Sequence, residues 1–200
     1  IILNVAGRDQ LILTGCDLIA SLDPLSGNKI WELEGATTEC VTSAVTDGER
    51  VFSSGGYPSN HVQAVRADGS REVAWRNGVR VYVPSMIIRD DHIYAVTDAG
   101  IATCWKSATG DEVWKGRLGG TFSSSPVLAG EYIYATNEAG KTSVFKAQSS
   151  GFELVAQNQL GNEVFATPAI CDGRIYLRVA TRRAGKRSET LYCIAESTKR

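Results

Sequence analysis

Two histidines, His61 and His92, are the side chains best suited to proton transfer or metal ligation near neutral pH. His92 follows Asp90 and Asp91 in a polar turn, where an imidazole beside two carboxylates could hold a cation. Asp47, Asp91 and Asp172 recur in equivalent turns, however, and aspartate is common in turns because it hydrogen-bonds the local backbone. No G-x-S-x-G elbow or H-E-x-x-H pair accompanies the histidines, so neither nucleophilic nor zinc hydrolysis is signalled. Five cysteines, Cys16, Cys40, Cys104, Cys171 and Cys193, are scattered without a C-x-x-C pair. Cys104 and Cys193 fall at one repeat position where other repeats carry Ser21, Ala64 and Val144, which predicts small buried side chains. The densest charge is Arg182, Arg183, Lys186 and Arg187, four cations within six residues of a chain whose formal net charge is −1. Such a cluster could engage an acidic protein surface, a phosphate-rich polymer or anionic lipid heads, or could be a solvated hairpin tip. No residue is assigned a catalytic, cofactor-binding or metal-ligating role.

The elements that must position these residues repeat with a period of roughly 41 residues. Trp31, Trp75 and Trp114 are separated by 44 and 39 residues, and Val155 holds the next place 41 further on. A glycine turn precedes each, at Gly27, Gly69, Gly110 and Gly151. Within one period the pattern is strand, turn, strand, turn. Ser85-Met86-Ile87-Ile88 is followed by the turn Arg89-Asp90-Asp91 and the β-branched and aromatic run His92-Ile93-Tyr94-Ala95-Val96. Asp98-Ala99-Gly100 turns the chain into Ile101-Ala102-Thr103-Cys104-Trp105, and Gly110 turns it into a fourth strand around Trp114. Pro84, Pro126 and Pro168, 42 residues apart, mark the start of the innermost strand, where a missing N–H is tolerated. There is no convincing amphipathic helix. The fold expected is all-β: a β-propeller of about five four-stranded antiparallel repeats, with a β-sandwich as the weaker reading. It forms one domain, 1–200, in repeats 1–36, 37–78, 79–119, 120–161 and 162–200, the last ending after its third strand, Leu191-Tyr192-Cys193-Ile194. Recurrence of tryptophan at one place in each blade predicts packing between neighbouring blades.

Composition is that of a soluble globular chain, 43% hydrophobic and 22% charged with 20 glycines. Near-neutral charge supplies no general field for nucleic acid or an anionic membrane, and no apolar run approaches the ~18 residues of a membrane helix. The opening Ile1-Ile2-Leu3-Asn4-Val5 has neither an initiator Met nor a basic-then-apolar leader, so a mature or excised piece is expected.

Segments such as Ser125-Pro126-Val127-Leu128-Ala129-Gly130-Glu131-Tyr132-Ile133-Tyr134-Ala135 and Ala108-Thr109-Gly110-Asp111-Glu112-Val113-Trp114 resemble the repeats of the PQQ-like (pyrroloquinoline quinone-like) propellers. That superfamily includes quinoprotein alcohol dehydrogenases and an outer-membrane assembly lipoprotein. The resemblance implies part of a larger ring of about eight blades, and an incomplete ring would expose edges prone to self-association. It also implies a periplasmic, cell-surface or secreted location. The dehydrogenases resembled hold PQQ and Ca²⁺ on the axis with a vicinal disulfide, a stacked Trp, a Glu/Asn/Asp calcium set and an Asp base. This chain has no adjacent cysteines, and only Trp105 lies outside the periodic position as a stacking candidate, more simply read as a packing aromatic.

In a four-stranded meander the turns between second and third strands emerge on the same face as the blade-to-blade connections. Two of these turns are expanded, Gly55–His61 and Ala180–Ser188, and Tyr82, Phe122 and Phe165 lie in the connections. The expected function is a non-catalytic scaffold that binds a protein partner through Tyr57, His61, Arg182, Arg183, Lys186 and Arg187, with no cofactor. The alternative is a piece of a PQQ-dependent dehydrogenase whose cofactor residues lie outside this chain. A sensor module fused to another domain is a third reading.

Overall fold

The structure, a computed structural model, describes residues 1–196 and contains strands and turns but no helix among them. The last four residues of the expected fifth repeat lie outside the described residues. Four sheets have four antiparallel strands each. Blade 1 comprises β1 (Ile2–Val5), β2 (Arg8–Gly15), β3 (Leu18–Leu22) and β4 (Lys29–Glu34). Blade 2 comprises β5 (Val45–Thr46), β6 (Arg50–Gly55), β7 (His61–Arg66) and β8 (Val73–Asn77). Blade 3 comprises β9 (Ile87–Arg89), β10 (His92–Val96), β11 (Ile101–Lys106) and β12 (Glu112–Arg117). Blade 4 comprises β13 (Val127–Ala129), β14 (Tyr132–Thr136), β15 (Lys141–Lys146) and β16 (Leu154–Gln159). Blade 5 has three strands, β17 (Ala169–Cys171), β18 (Arg174–Arg183) and β19 (Lys186–Ala195). Adjacent inner strands touch, β1 with β5, β5 with β9 and β13 with β17, which arrays the blades around a common axis.

Strand register shows what each repeat position does. On one face, which in blades 2 to 5 is turned to the preceding blade, Leu11 pairs with Leu22, Val51 with Val65, Ile93 with Trp105, Ile133 with Phe145 and Ile175 with Ile194. Trp105 therefore occupies a large apolar position of the repeat, and it is fully buried. On the opposite face, Ile12–Ser21, Phe52–Ala64, Tyr94–Cys104, Tyr134–Val144 and Tyr176–Cys193 are equivalent pairs, and in the complete blades these abut Trp31, Trp75, Trp114 and Ala156. The same bulge follows that position in all four complete blades and locally sharpens the twist. In blade 4 the bulge puts Ala156, not Val155, at the tryptophan place, a one-residue slip that spacing alone does not reveal.

Opposing faces interdigitate into one apolar core per seam. Ile12, Ile19 and Trp31 meet Val51 and Val65; Phe52 and Val62 meet Ile93 and Trp105; Tyr94, Cys104 and Trp114 meet Ile133 and Phe145. The seam between blades 4 and 5 is thinner, with Val164, Leu177 and Val179 its buried members. Trp75 and Trp114 also fasten the seams by donating their indole N–H to the next blade, to the carbonyls of Ser107 (2.7 Å) and Gln148 (2.8 Å). Trp31 instead donates to Gln10, whose amide reaches Ala67 of blade 2. At Gly110, whose φ is +74°, a Cβ would fall 2.6 Å from the Trp75 ring, so the turn and the packing both require glycine.

Near the axis a belt of hydroxyls links successive blades. The backbone N–H of Ser43 donates to Ser85 Oγ, that of Ser85 to Ser125 Oγ, and that of Ser125 to Thr167 Oγ1, each at 3.0 Å.

Of the cysteines, Cys104 is buried as expected, but Cys16, Cys171 and Cys193 are exposed. Cys193 lies on β19, which carries no fourth strand over it among the described residues.

Candidate protein-interaction site

The stretch Ala180–Ser188, expected as an expanded loop, is instead regular ladder. β18 and β19 stay paired out to Arg183 and Lys186, joined by the two-residue turn Ala184-Gly185 with φ of 47° and 76°. Positive φ at both positions is the type I′ geometry that matches the twist of paired strands, so the hairpin extends without splaying. It is anchored to the blade 4–5 connection: the Ala180 N–H donates to the Glu163 carbonyl (2.9 Å), and the Asn162 side chain accepts from the Arg182 N–H (2.8 Å) and donates to its carbonyl (3.1 Å).

Pairing divides the basic cluster in two, because cross-strand partners share a face and neighbours along a strand alternate. Arg182 is opposite Arg187, and Arg183 is opposite Lys186. On the first face Glu163 bridges both guanidiniums, taking Arg182 at 3.0 Å and Arg187 at 2.5 Å. Arg187 continues to Glu189 at 2.6 Å, and Glu189 to Arg178 at 3.3 Å, so signs alternate along this face. The hydrogen bond from Arg187, then that from Arg182, holds the Glu163 carboxyl below the usual carboxylate range. The second face carries Thr181, Arg183, Lys186, Ser188 and Thr190 and no acid. Among the described residues neither Arg183 nor Lys186 has an ion pair.

Blade 2 uses a comparable anchor. Its turn at Gly56 and Tyr57 is held by Arg80 Nη1 donating to the Gly56 carbonyl (2.9 Å) and by a backbone bridge between Glu39 and Tyr57. The Tyr82 hydroxyl donates to Glu39, and Arg80 lies over the Tyr82 ring, 4.9 Å from its centroid. Tyr57 is 57% exposed. His61 is placed otherwise than the interaction reading expected: it begins β7 facing blade 1, fully buried, with neither ring nitrogen hydrogen-bonded. Desolvation, with Arg76 adding to it, brings its pKa down to about 4. Its ring packs against Gly55 and Thr37, where a Cβ on Gly55 would collide with both side chains. Of the connection aromatics, Phe122 is also a core residue, Tyr82 is half-buried and Phe165 is exposed. Blades 3 and 4 separate Tyr57 from the blade 5 hairpin, so the expected residues lie in two places and not in one patch.

Asp98 and Glu138 show why the short turns are not free to bind. Asp98 accepts from the backbone N–H groups of Tyr82 and Val83, and Glu138 accepts from the Ser123 hydroxyl, so both carboxylates latch connections. A cleft of about 320 Å³ opens between blades 4 and 5, where Tyr134, Thr136 and Thr142 face Ile175, Leu177 and Ile194. No group of three or more His, Cys, Asp or Glu side chains among the described residues could hold a metal ion. With Trp105 enclosed in a blade seam, the described residues do not fit a calcium-bound quinone on the axis.

The repeat register, the recurrent bulge and the tryptophan latches now meet their sequence counterpart. Residues 3–116 and 58–152 match the family described as outer membrane protein assembly factor BamB. The chain belongs to this family of PQQ-like propellers. No curated protein sequence matches the chain. Similar solved structures include BamB from Moraxella catarrhalis, at 13% identity and a TM-score of 0.68 over 89% of this chain and 55% of that one. A chain of a mitotic checkpoint complex shares 16% identity and a TM-score of 0.67, over 86% of this chain and 57% of that one. The computationally designed Ika8 protein shares 12% identity and a TM-score of 0.66, over 94% of this chain and 60% of that one. The chain thus spans a little over half the length of these structures. The fold is shared by 727 solved chains, so likeness at this level gives architecture and not activity.

Proposed function

We propose that the protein is a non-catalytic scaffold that holds a protein partner on the face carrying the blade-to-blade connections. The observation that carries this reading is the anchored blade 5 hairpin, an element with two cations that have no ion pair among the described residues and whose neighbouring connection exposes Phe165 at 51%. Exposed aromatics beside arginine are what protein interfaces select, and a rigid support lowers the ordering cost of binding. The family's description as an outer membrane assembly factor agrees with a role in assembly and with a periplasmic setting. The test is site-specific photo-cross-linking in cells. A benzophenone at Tyr57 or Phe165 should give discrete protein adducts, and one at Leu25, in the turn between β3 and β4, should not. Adducts from Leu25 alone, or from none of the three, would remove this face as the binding surface.

A further inference from the structure

We infer that Arg183 and Lys186 form a carboxylate-binding site that receives an acidic segment of a protein partner. This rests on the scaffold reading and names the chemistry of the partner at one face of the hairpin. Like charges directly opposite on antiparallel strands repel, and this hairpin stacks two such pairs on successive rungs. The first pair, Arg182 and Arg187, is neutralised within the chain, because the two oxygens of one carboxylate take one guanidinium each. That arrangement is a template, built by this sequence, for what the second pair needs one rung away.

Among the described residues the second pair has no such counter-charge. Beside the two cations its face carries Thr181, Ser188 and Thr190, and beyond them the buried Val179 and Leu177, none of them charged, and Ser188 already donates to the Thr181 carbonyl. Backbone pairing from Arg182 through Asn162 holds the strand immediately before Arg183, so the two cations are presented on a ladder. The Arg183 guanidinium offers a planar fork that fits a carboxylate, and Lys186 adds a compact second charge to hold the other oxygen. A side chain of Glu or Asp on an approaching segment has the size and geometry that Glu163 shows on the opposite face. The four-cation cluster is therefore half internal brace and half binding site.

The test measures fluorescence anisotropy of a labelled hexaglutamate peptide titrated with the protein at low ionic strength. Saturable binding is expected, and the double variant Arg183→Gln/Lys186→Gln should weaken it by about tenfold or more. Arg182→Gln should leave affinity within roughly twofold, while it lowers the melting temperature by loosening the Glu163 brace. Equal loss from both variants, or no loss from the double variant, overturns the assignment. Binding to mixed phosphatidylglycerol and phosphatidylcholine vesicles without binding of hexaglutamate would overturn it in favour of lipid. The outcome separates from that of the scaffold reading: adducts at Phe165 that persist in the double variant refute the carboxylate site and keep the scaffold. Loss of every adduct on this face in the unmodified protein refutes the scaffold itself.

Discussion

At the scale of single residues, an imidazole sealed between two blades with neither nitrogen hydrogen-bonded must be neutral, because a charge there would be buried without a partner. His61 meets that condition, its pKa held near 4 by desolvation and then by Arg76, against 6.5 for an unperturbed imidazole. The unfolded chain therefore takes up a proton first as pH falls. Stability from this residue is complete above pH 6.5 and is lost progressively as pH drops towards 4, by about 3 kcal/mol in all. Urea midpoints should accordingly fall between pH 7 and pH 4.5 in the wild type, and His61→Leu should remove most of that fall. Identical pH dependence in the two proteins would mean that the ring is solvated. The same residue shows where sequence reading falls short. Its position after Gly55–Asn60 reads as a loop, and only the pairing of His61 with Gly55 turns it into the first residue of a buried strand.

At the scale of elements, successive blades are joined by few directional bonds, so each should be measurable. Ser125 sits mid-belt, accepting from the Ser85 N–H and donating its own N–H to Thr167 Oγ1. Ser125→Ala leaves the Ser85 N–H without its acceptor and should cost about 1 kcal/mol in urea unfolding. Ser125→Thr should restore most of it, since Thr167 performs that task one blade further on. An alanine variant as stable as wild type would show that water replaces the hydroxyl. Blade count, strand order and the tryptophan seams were legible in the sequence because glycine turns and strand alternation are local signals, read directly from residues such as Gly110 and Trp114. The belt was not, because single hydroxyls some 42 residues apart carry no periodic hydrophobic signal. The blade 5 hairpin was misread for a related reason: arginines and a lysine suggest a loop, whereas cross-strand pairing and Glu163 keep them in a ladder. Phe122 and Phe165 look alike in their connections, and only the seam that each meets makes one core and the other surface.

At the scale of the whole molecule, the count of seams decides the expected solution behaviour. Five blades in a closed ring would share five seams, whereas the described residues form four apolar cores, with none joining blade 5 to blade 1. The outward face of blade 1 nevertheless has the composition of a core face. Leu11 and Leu22 occupy the positions that Ile93 and Trp105 fill in blade 3, and Leu13, on the same face, is 47% exposed. At the other end no described strand pairs with the outer edge of β19, where Leu191 is 69% exposed. An apolar face at one end and an open strand edge at the other favour association between molecules, through burial and backbone pairing respectively. Sedimentation equilibrium of the 200-residue chain should therefore show mass rising with concentration. Leu13→Lys combined with Leu191→Lys should return it to the monomer mass at little cost in stability, because neither side chain belongs to a buried core. A wild-type chain that stays monomeric over the whole range would mean that charged neighbours such as Arg8, Asp9 and Arg178 already protect these ends. A double variant that still associates would place the contact on another surface, and the connection face around Phe165 would be the next to be charged.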